Sequence, residues 1–341
     1  MAEHGSAEAA LAALPAIARD AGVPDYHPCT PDDARRELDA GRKRGARLLA
    51  LGDDDYPQAL AALSDPPPLL WAMGRGRLAT KPAVALVGAR NASSLGLRMT
   101  RKLAEGLGHH GFAVVSGLAR GIDAAAHGAA LKTGTIAVMA GGVDVVYPPE
   151  NEVLAAAIAD QGLRVSEQPL GLPPRARHFP LRNRLIAGLS HAVIVVEAAD
   201  GSGSLITARD ALDQGREVLA VPGHPMDARA AGCNRLIREG ARLIRGVDDV
   251  IEALAEAVEG GFAPEPRRTP PMRRTADAGE GPPDMLALHR RILSALGAAP
   301  VAEDQLLRDL GLPAATIAPA LLFLELDGRV QRLAGGMLAK V

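Results

Sequence analysis

Short runs of apolar residues alternate with longer amphipathic stretches through the middle of the chain. The runs are too short for helices and are nearly uninterrupted, which is typical of strands buried on both faces of a parallel sheet. We predict strands at residues 84–88, 112–116, 135–140, 164–167, 192–197, 217–221 and 242–244. We predict helices at residues 98–108, 122–132, 150–159, 182–189, 205–214, 234–239 and 248–257. Because strands and helices alternate, we expect right-handed crossovers and an α/β fold with a doubly wound, mainly parallel sheet.

Changes in composition divide the chain into segments. These are a small helical domain at residues 1–75, the α/β domain at 76–258, a flexible linker rich in Pro and Gly at 259–284, and a last domain at 285–341. The first domain has a helix-prone stretch at 7–18 and a capped helix start at Thr30-Pro31-Asp32-Asp33. The last domain has predicted helices at 285–296, 302–310 and 313–327 and a hairpin at Gly335-Gly336. This order favours a winged helix over a generic helical cap.

Composition narrows the classes of protein that the chain can represent. Aromatic residues are only 2% of the chain, so a surface of many stacked rings is excluded, and the net charge of -2 neither supports nor excludes nucleic acid. Cys29 and Cys233 lie far apart, so we expect a reducing compartment and neither a disulfide framework nor a zinc site. No apolar stretch approaches the roughly 20 residues that span a bilayer, and the first residues are acidic. We therefore expect a cytoplasmic protein without membrane contact.

Glycine-rich turns follow three of the predicted strands, and each turn opens a helix. Backbone N–H groups at a helix start stabilise phosphates, and the carboxyl ends of parallel strands meet at one edge, where ligands bind. The first turn lacks the G-x-G-x-x-G fingerprint because Ala89 and Arg90 follow Gly88, which argues against NAD or FAD. The candidate ligand-binding residues of the three turns are Gly88, Arg90, Ser116, Gly117, Arg120, Ser202 and Ser204.

A basic segment without acidic residues, 173–184, follows the fourth predicted strand. Its candidate binding residues are Arg175, Phe179, Arg182, Asn183 and Arg184. Several phosphate-binding turns beside such a segment suit a polyanion with successive phosphates. An extended single strand fits best, since a ring such as Phe179 stacks a base at about 1–3 kcal/mol. A duplex fits less well, because no basic helix is available for a major groove.

Structural and enzymatic roles remain as alternatives at this point. Arg182 and Arg184 can pair with Glu167 or Glu197, and Phe179 can belong to the core. Glu167 and Glu197 can also form the acid–base pair of a Rossmann-type nucleotide-processing hydrolase. The sequence has no G-x-x-x-x-G-K-[ST], G-x-S-x-G or H-E-x-x-H motif, so we predict no catalytic residue, metal or cofactor. A scaffold that binds only protein is a further alternative, which the basic segment disfavours.

Several motifs occur in the order in which a known family carries them. The motifs are Gly88-Ala89-Arg90, Ser116-Gly117-Leu118-Ala119-Arg120-Gly121-Ile122-Asp123 with Ala126-His127, Tyr147-Pro148, Ser166-Glu167, Phe179-Pro180-Leu181-Arg182-Asn183-Arg184, Ser202-Gly203-Ser204-Leu205-Ile206-Thr207-Ala208 and Val221-Pro222-Gly223. Over about residues 50–255 the chain resembles the DNA-processing protein A family (DprA, also called Smf). The first domain resembles the sterile-alpha-motif-like domain of some members, and the last domain resembles their winged-helix extension.

The resemblance implies an extended Rossmann fold that binds single-stranded DNA cooperatively and is not a catalyst. It implies a recombination mediator of natural transformation, which protects the incoming strand, displaces single-strand-binding protein and loads RecA. By motif match, the residues that would line the DNA groove are Gly88, Arg90, Gly117, Arg120, Phe179, Arg182, Asn183 and Arg184. Members often carry Gly-Gly-Lys-Thr before the third strand, whereas this chain has Lys132-Thr133-Gly134-Thr135, so the candidate Lys132 departs from the pattern.

The resemblance also implies a homodimer that pairs through the C-terminal edge of the fold, at Leu212, Ile237 and Leu243. In the last domain, residues 313–326 contain no Lys or Arg. A recognition helix without cations lacks the usual attraction to phosphates. We therefore expect the winged helix mainly to contact protein.

Overall fold

The computed structural model describes residues 4–23, 25–257, 285–296, 300–313, 317, 320–321, 324–325, 329–333 and 337–340. The chain divides into two compact units, Met1–Arg47 and Leu48–Val341. The first unit contains helices α1 (Ala7–Asp20) and α2 (Pro31–Lys43). Thr30 and Asp33 form a reciprocal capping box at the start of α2, as the sequence predicted. The predicted linker, 259–284, lies outside the described residues, and the predicted domain boundaries stay predictions.

The second unit contains an α/β domain built on one large sheet. Its strands are β1 (Ala46–Ala50), β2 (Leu69–Gly74), β3 (Ala83–Val87), β4 (Ala113–Ser116), β5 (Thr135–Val138), β6 (Leu163–Ser166), β7 (Ala192–Val195), β8 (Glu217–Ala220) and β9 (Arg242–Leu243). The boundary between the two units falls within β1, after Arg47. Its helices are α3 (Gln58–Ala61), α4 (Ser94–His109), α5 (Ile122–Ala130), α6 (Glu152–Gln161), α7 (His178–Gly188), α8 (Gly203–Asp213), α9 (Ala231–Arg238) and α10 (Val247–Ala257). The predicted strands are confirmed, with ends that differ by one or two residues.

The order of strands across the sheet is β1-β2-β6-β5-β4-β3-β7-β8-β9. All neighbours from β6 to β9 are parallel, and β2 pairs antiparallel with β6. From β3 the chain runs outwards through β4, β5 and β6, and then returns to the other side of β3 as β7, β8 and β9. The doubly wound, mainly parallel sheet is thus confirmed, and its topological switch point lies between β3 and β7.

The sheet is buried because helices cover both of its faces. Neighbouring residues of β3 point to opposite faces: Leu86 packs in a cluster with Leu103 of α4, and Val87 packs in a second cluster with Leu185 of α7. Both strand residues are at most 3% exposed. This double burial explains why the strands are continuous apolar runs instead of alternating ones.

The last part of the second unit has its own core. Helices α11 (Met285–Ala295) and α12 (Glu303–Leu310) accompany an antiparallel sheet of β10 (Val301–Ala302), β12 (Met337–Lys340) and β11 (Val330–Leu333), in that order. Leu288, Leu306 and Leu338 are buried together between them. The predicted winged helix is confirmed; the predicted turn at Gly335-Gly336 and much of the predicted third helix lie outside the described residues. No helix within the described ranges is both long and apolar enough to span a membrane.

Candidate nucleic-acid interface

A cavity of about 590 Å³ opens at the switch point, where the carboxyl ends of β3, β4 and β7 meet the first turns of α7 and α8. We call it the switch-point pocket. Parallel α/β sheets bind their ligands at this position because the two neighbouring crossovers leave on opposite faces and open a crevice. The residues that line it include Gly88, Arg90, Asn91, Ala119, Asp123, Phe179, Arg182, Asn183, Ser202, Gly203, Ser204, Thr207 and Arg229.

The first glycine turn, after β3, is tightly packed against β7. A Cβ on Gly88 would lie 2.8 Å from the backbone oxygen of Glu197, so only glycine fits. The Glu197 carboxylate sits at the start of α4, where it accepts the Ser93 N–H at 2.8 Å and the Ser93 hydroxyl. Glu197 lies so close that a Cβ on Gly96 would be 2.5 Å from its carboxyl carbon. The chain's own carboxylate therefore takes the place that the sequence predicted for a phosphate at this helix.

The second glycine turn, after β4, is also satisfied internally. The Asp123 carboxylate accepts the N–H groups of Gly117 at 3.1 Å and Ala119 at 3.3 Å. Burial raises the pKa of Asp123, although the nearby Arg182 and these N–H groups favour its ionised form. This turn therefore contributes shape to the pocket and leaves few amide groups for a ligand.

One residue of this second turn has an unusual backbone. Leu118 is buried and adopts the left-handed region at φ 55°, which is rare for a branched apolar residue. Its N–H donates to His127 Nε2 at 3.3 Å and its carbonyl accepts from Asn151 Nδ2 at 2.9 Å. His127 Nδ1 donates to Thr135 Oγ1 at 2.7 Å, since that hydroxyl donates to a backbone carbonyl. A neutral histidine, whose pKa burial lowers to about 3, thus holds the turn.

The third glycine turn, at the start of α8, differs from the other two. Ser202 caps the helix: its oxygen accepts the Ser204 N–H at 3.4 Å and lies 2.8 Å from the Ser204 hydroxyl. A Cβ on Gly201 or Gly203 would meet nothing within 4 Å, so the turn borders open space. Within the described part of the chain, no carboxylate accepts from the first amide groups of α8. Of the three turns predicted to bind phosphate, this one is the most open to a ligand at the pocket, although Ser202 Oγ already accepts the Ser204 N–H.

Arg182 supplies a positive charge at the floor of the pocket. It is 7% exposed, and Nη1 donates to the carbonyls of Gly117 at 2.6 Å and Val138 at 2.8 Å. Burial lowers the pKa of Arg182 to about 10, which leaves it charged at neutral pH. Its Nε has no partner among the described residues. A Cβ at position 117 would overlap this guanidinium, which explains the glycine there. A buried positive charge thus lies beside the pocket, although the Nε atom itself is closed to solvent.

Phe179 forms the aromatic part of the site. Its half-buried ring lies near two guanidiniums, with the Arg90 Cζ 5.6 Å and the Arg182 Cζ 6.0 Å from the ring centroid. Tyr147 stands beside it, with ring centroids 5.7 Å apart and an interplanar angle of 58°. The sequence predicted a loop here, whereas helix α7 begins at His178 and carries Phe179 in its first turn. Tyr147 was considered only as part of a family motif and was not predicted as a binding residue, although its rarity as an aromatic residue was a usable signal.

Arg184 lies on the other side of α7 from the pocket. Its Nη2 is 2.6 Å from Glu167 Oε1 and its Nη1 donates to the Asp65 carbonyl at 2.8 Å. Residues two apart on a helix are about 200° apart around its axis, so Arg182 faces the pocket and Arg184 does not. Arg184 therefore has the structural role that was considered as an alternative. Glu167 and Glu197 do not form an acid–base pair, because Glu197 caps α4 and Glu167 pairs with Arg184.

Other candidates take different positions. Ser116 is buried and donates to the Leu86 carbonyl at 2.7 Å, which is a structural role. Arg120 is exposed beside the pocket and lies 3.6 Å from Glu150, and Arg175 is exposed just before α7. Lys132 follows the far end of α5, at the amino edge of the sheet, so the fold does not bring it to the pocket. Asn183 Nδ2 donates to the Gly203 carbonyl at 3.4 Å and joins α7 to the open turn.

The predicted dimer residues lie towards the β9 edge of the sheet. Leu212 of α8 is 60% exposed, Leu243 of β9 is 43% exposed, and Ile237 of α9 is half-buried. An exposed apolar edge strand is a surface that a second chain can cover. The dimer stays a prediction.

The fold and the site define a Rossmann-like protein whose switch-point pocket offers a buried guanidinium, an exposed arginine and aromatic rings to an anionic ligand that carries rings of its own. The described residues contain no group of three or more side chains suited to a metal ion. The model of the DNA recombination-mediator protein A family matches residues 47–255. Models of the DprA winged helix domain and the DprA-like N-terminal HHH domain match residues 275–336 and 1–40. This chain belongs to the DNA recombination-mediator protein A family, which confirms the resemblance seen in its motifs.

Individual relatives agree with this assignment. The DNA processing protein DprA of Bacillus subtilis is 41% identical over 237 residues, which cover 69% of this chain and 78% of the relative. Protein Smf of Synechocystis is 36% identical over 325 residues, 87% of this chain and 81% of the relative. The structure of DprA from Streptococcus pneumoniae matches with a TM-score of 0.59 and 37% identity, covering 71% of this chain and 92% of that chain.

A second solved structure bears on the ligand. DNA processing protein A from Helicobacter pylori matches with a TM-score of 0.57 and 32% identity, over 62% of this chain and 96% of that chain. That structure is described as showing a single-stranded DNA binding mode of the H. pylori protein.

Proposed function

We propose that this chain binds single-stranded DNA in the switch-point pocket and transfers the strand to RecA as a recombination mediator. The observation that carries the proposal is the grouping of Arg90, Phe179 and Arg182 beside the open start of α8. The family description and the DNA-binding mode described for the H. pylori protein support it.

The phosphate contacts follow from the groups that line the pocket. The Gly203 amide at the start of α8 and the charged Arg182 line the same cavity, so one phosphate can accept from the amide and be attracted by the charge. Arg90 is exposed at the rim and can pair with the next phosphate along the strand. These contacts read no base, so we expect binding that is independent of sequence.

The aromatic contacts explain a preference for unpaired DNA. A base that is not paired exposes its face, and Phe179 with Tyr147 offers a surface on which it stacks. Bases in a duplex are already stacked on each other, so a duplex gains only the phosphate contacts. We expect a single strand to bind more tightly than a duplex of equal length.

The proposed DNA-binding set follows the structure. It comprises Gly88, Arg90, Phe179, Arg182, Asn183, Ser202 and Ser204 in the pocket, Gly117 in the small cavity next to Phe179, and Arg120 and Arg175 as outer contacts at the same edge. Arg184 orients α7 through Glu167 and is a supporting residue. Lys132 and Ser116 are left out of the set.

We further propose that two copies pair through Leu212, Ile237 and Leu243 and that the dimer acts in the cytoplasm during natural transformation. Pairing doubles the number of pockets along one strand, and two linked sites bind a continuous ligand more tightly than one. The exposure of Leu212 and Leu243 supports the surface.

Fluorescence anisotropy with labelled oligo-dT and a duplex of equal length, over several salt concentrations, tests the binding. We expect tighter binding of the single strand and a logarithmic salt slope of about -0.7 for each phosphate contact. Equal affinity for both forms would refute the proposal. RecA filament assembly on oligo-dT covered by single-strand-binding protein tests the transfer, and an unchanged lag on addition of this chain would remove the mediator role.

A further inference from the structure

A buried carboxylate of the winged helix contacts the α/β domain. The side chain of Asp309 in α12 is 2% exposed. It accepts a hydrogen bond from the Ser94 hydroxyl at the start of α4 and lies 3.3 Å from Arg101 Nη1 and 3.8 Å from Arg98 Nη1. A carboxylate that leaves water needs such partners, so these groups hold the contact together.

A second contact links the winged helix to the switch-point pocket. Arg229, which lines the pocket, donates from Nη1 to the Ser294 carbonyl at 2.9 Å and from Nη2 to the Leu296 carbonyl at 3.3 Å. Asp227 orients the same guanidinium, with Nε to Oδ1 at 3.1 Å. Both carbonyls lie at the C-terminal end of α11, where the last carbonyl groups carry partial negative charge.

In these contacts the winged helix presents oxygen atoms to cations of the α/β domain. A carboxylate meets Arg98 and Arg101, and helix-end carbonyls meet Arg229. A phosphodiester backbone would present oxygen atoms to the same guanidiniums. The winged helix thus occupies these cations with groups that resemble the ligand of the pocket.

The covered cations continue the pocket. Arg229 belongs to its wall, and Asn91 of the same wall is followed by the capping Ser93 and by Ser94, the partner of Asp309. A strand that leaves the pocket over this rim therefore meets the surface under α11 and α12.

We propose that Arg98, Arg101 and Arg229 form an extension of the DNA track, that the winged helix covers this extension, and that only a strand longer than the pocket displaces it. The inference rests on the proposed function, because it concerns the same DNA. In the covered state a short strand uses the pocket alone. A long strand exchanges the oxygen atoms of the winged helix for its own phosphates, so the cover lowers the affinity for long strands and leaves that for short strands unchanged.

Asp309→Asn in the full chain is the first test, with Asp304→Asn as the matched control. Both residues lie on α12, and both changes remove one negative charge, but Asp304 is exposed. Anisotropy is measured with oligo-dT of eight and of twenty-four nucleotides. If the uncovered state is populated at about 10%, releasing the cover raises the apparent affinity for the long strand by up to about tenfold. We expect a gain of about three- to tenfold for Asp309→Asn with the long strand, and a change within about twofold for the short strand and for the control.

Two failures are distinguishable in this design. Absence of binding of the short strand by the unchanged protein would count against the proposed function. If the short strand binds normally and Asp309→Asn shows no gain in affinity for the long strand, the proposal that the winged helix covers these arginines would be overturned, and the proposed function would remain.

A reversible lock tests the same inference by replacing the Ser94–Asp309 contact with a disulfide. Ser94→Cys and Asp309→Cys are introduced together in a Cys29→Ser background, because Cys29 is exposed and Cys233 is buried. Oxidation is expected to join the two domains, seen as a mobility change on a non-reducing gel, and to weaken long-strand binding by about threefold or more relative to the same protein after reduction. Short-strand binding is expected to be equal in both forms. No disulfide formation, or equal long-strand affinity in both redox states, would overturn the proposal.

Discussion

Replacement of Phe179 by leucine separates the aromatic contribution to DNA binding from the ionic one. Leucine keeps most of the packing of the half-buried side chain in α7 but removes the ring that lies near Arg90 and Arg182. A base stacked on an aromatic side chain contributes about 1–3 kcal/mol, which corresponds to a loss of affinity of about 5- to 150-fold. The phosphate contacts stay in place, so the slope of affinity against salt is expected to stay the same.

The matched control is Phe112→Leu. Phe112 is 5% exposed and lies just before β4, at the edge of the sheet opposite the pocket. The same chemical change there is expected to cost less than about 1.5 kcal/mol of stability and no affinity. Anisotropy with labelled oligo-dT at several salt concentrations, together with urea unfolding of both variants, provides the comparison.

Two outcomes would contradict this role of the Phe179 ring. If Phe179→Leu binds oligo-dT as tightly as the unchanged chain, the ring stacks no base and the pocket holds only phosphates. If the variant instead has a shallower salt slope, the ring acts by positioning the arginines around it.

Three further predictions concern Arg90, Gly117 and His127. Arg90→Ala is expected to reduce the slope of affinity against salt by about 0.7 and to weaken the binding of all oligonucleotide sequences alike. The control, Arg35→Ala in the first unit, is expected to change neither quantity, and a sequence-dependent loss of affinity in Arg90→Ala would contradict the prediction. Gly117→Ala pushes a Cβ into a buried guanidinium and is expected to cost about 1–3 kcal/mol in urea unfolding. Gly128→Ala, with nothing within 4 Å, is expected to stabilise helix α5 by about 0.5–1 kcal/mol, and equal effects of the two would refute the argument. Burial lowers the pKa of His127 to about 3 from an ordinary 6.5, so the unfolded state binds the proton first as the pH drops. The free energy of unfolding is therefore expected to fall by up to about 1.4 kcal/mol per pH unit between pH 6.5 and 3, and His127→Gln is expected to flatten this fall in urea unfolding at several pH values.

Much of the fold could be read from the chain alone, because burial on both faces leaves a local trace. The strand around Val84 to Val87 is a continuous apolar run, and Gly88 ends it where the backbone of Glu197 leaves no room for a side chain. The alternation of such runs with helices is sufficient for a parallel sheet. It does not give the order of strands, since the switch point depends on which strands pair.

The ligand-facing residues were only partly predictable, because a turn's sequence does not show what already satisfies its amide groups. All three glycine turns were predicted to bind phosphate, yet Glu197, which follows the distant strand β7, and Asp123, at the end of the second turn itself, fill two of them. Arg182 and Arg184 read alike in the basic segment, and the helix that carries them turns one towards the pocket and the other towards Glu167.

Local periodicity, composition and motifs were therefore sufficient to predict the class of fold, the winged helix and the family. Tertiary structure alone decided which turn stays open, that Tyr147 stands beside Phe179, and that Asp309 of the winged helix meets the arginines of α4. These outcomes join residues far apart in the chain. Only the packed backbone sets their distances, so no local pattern records them.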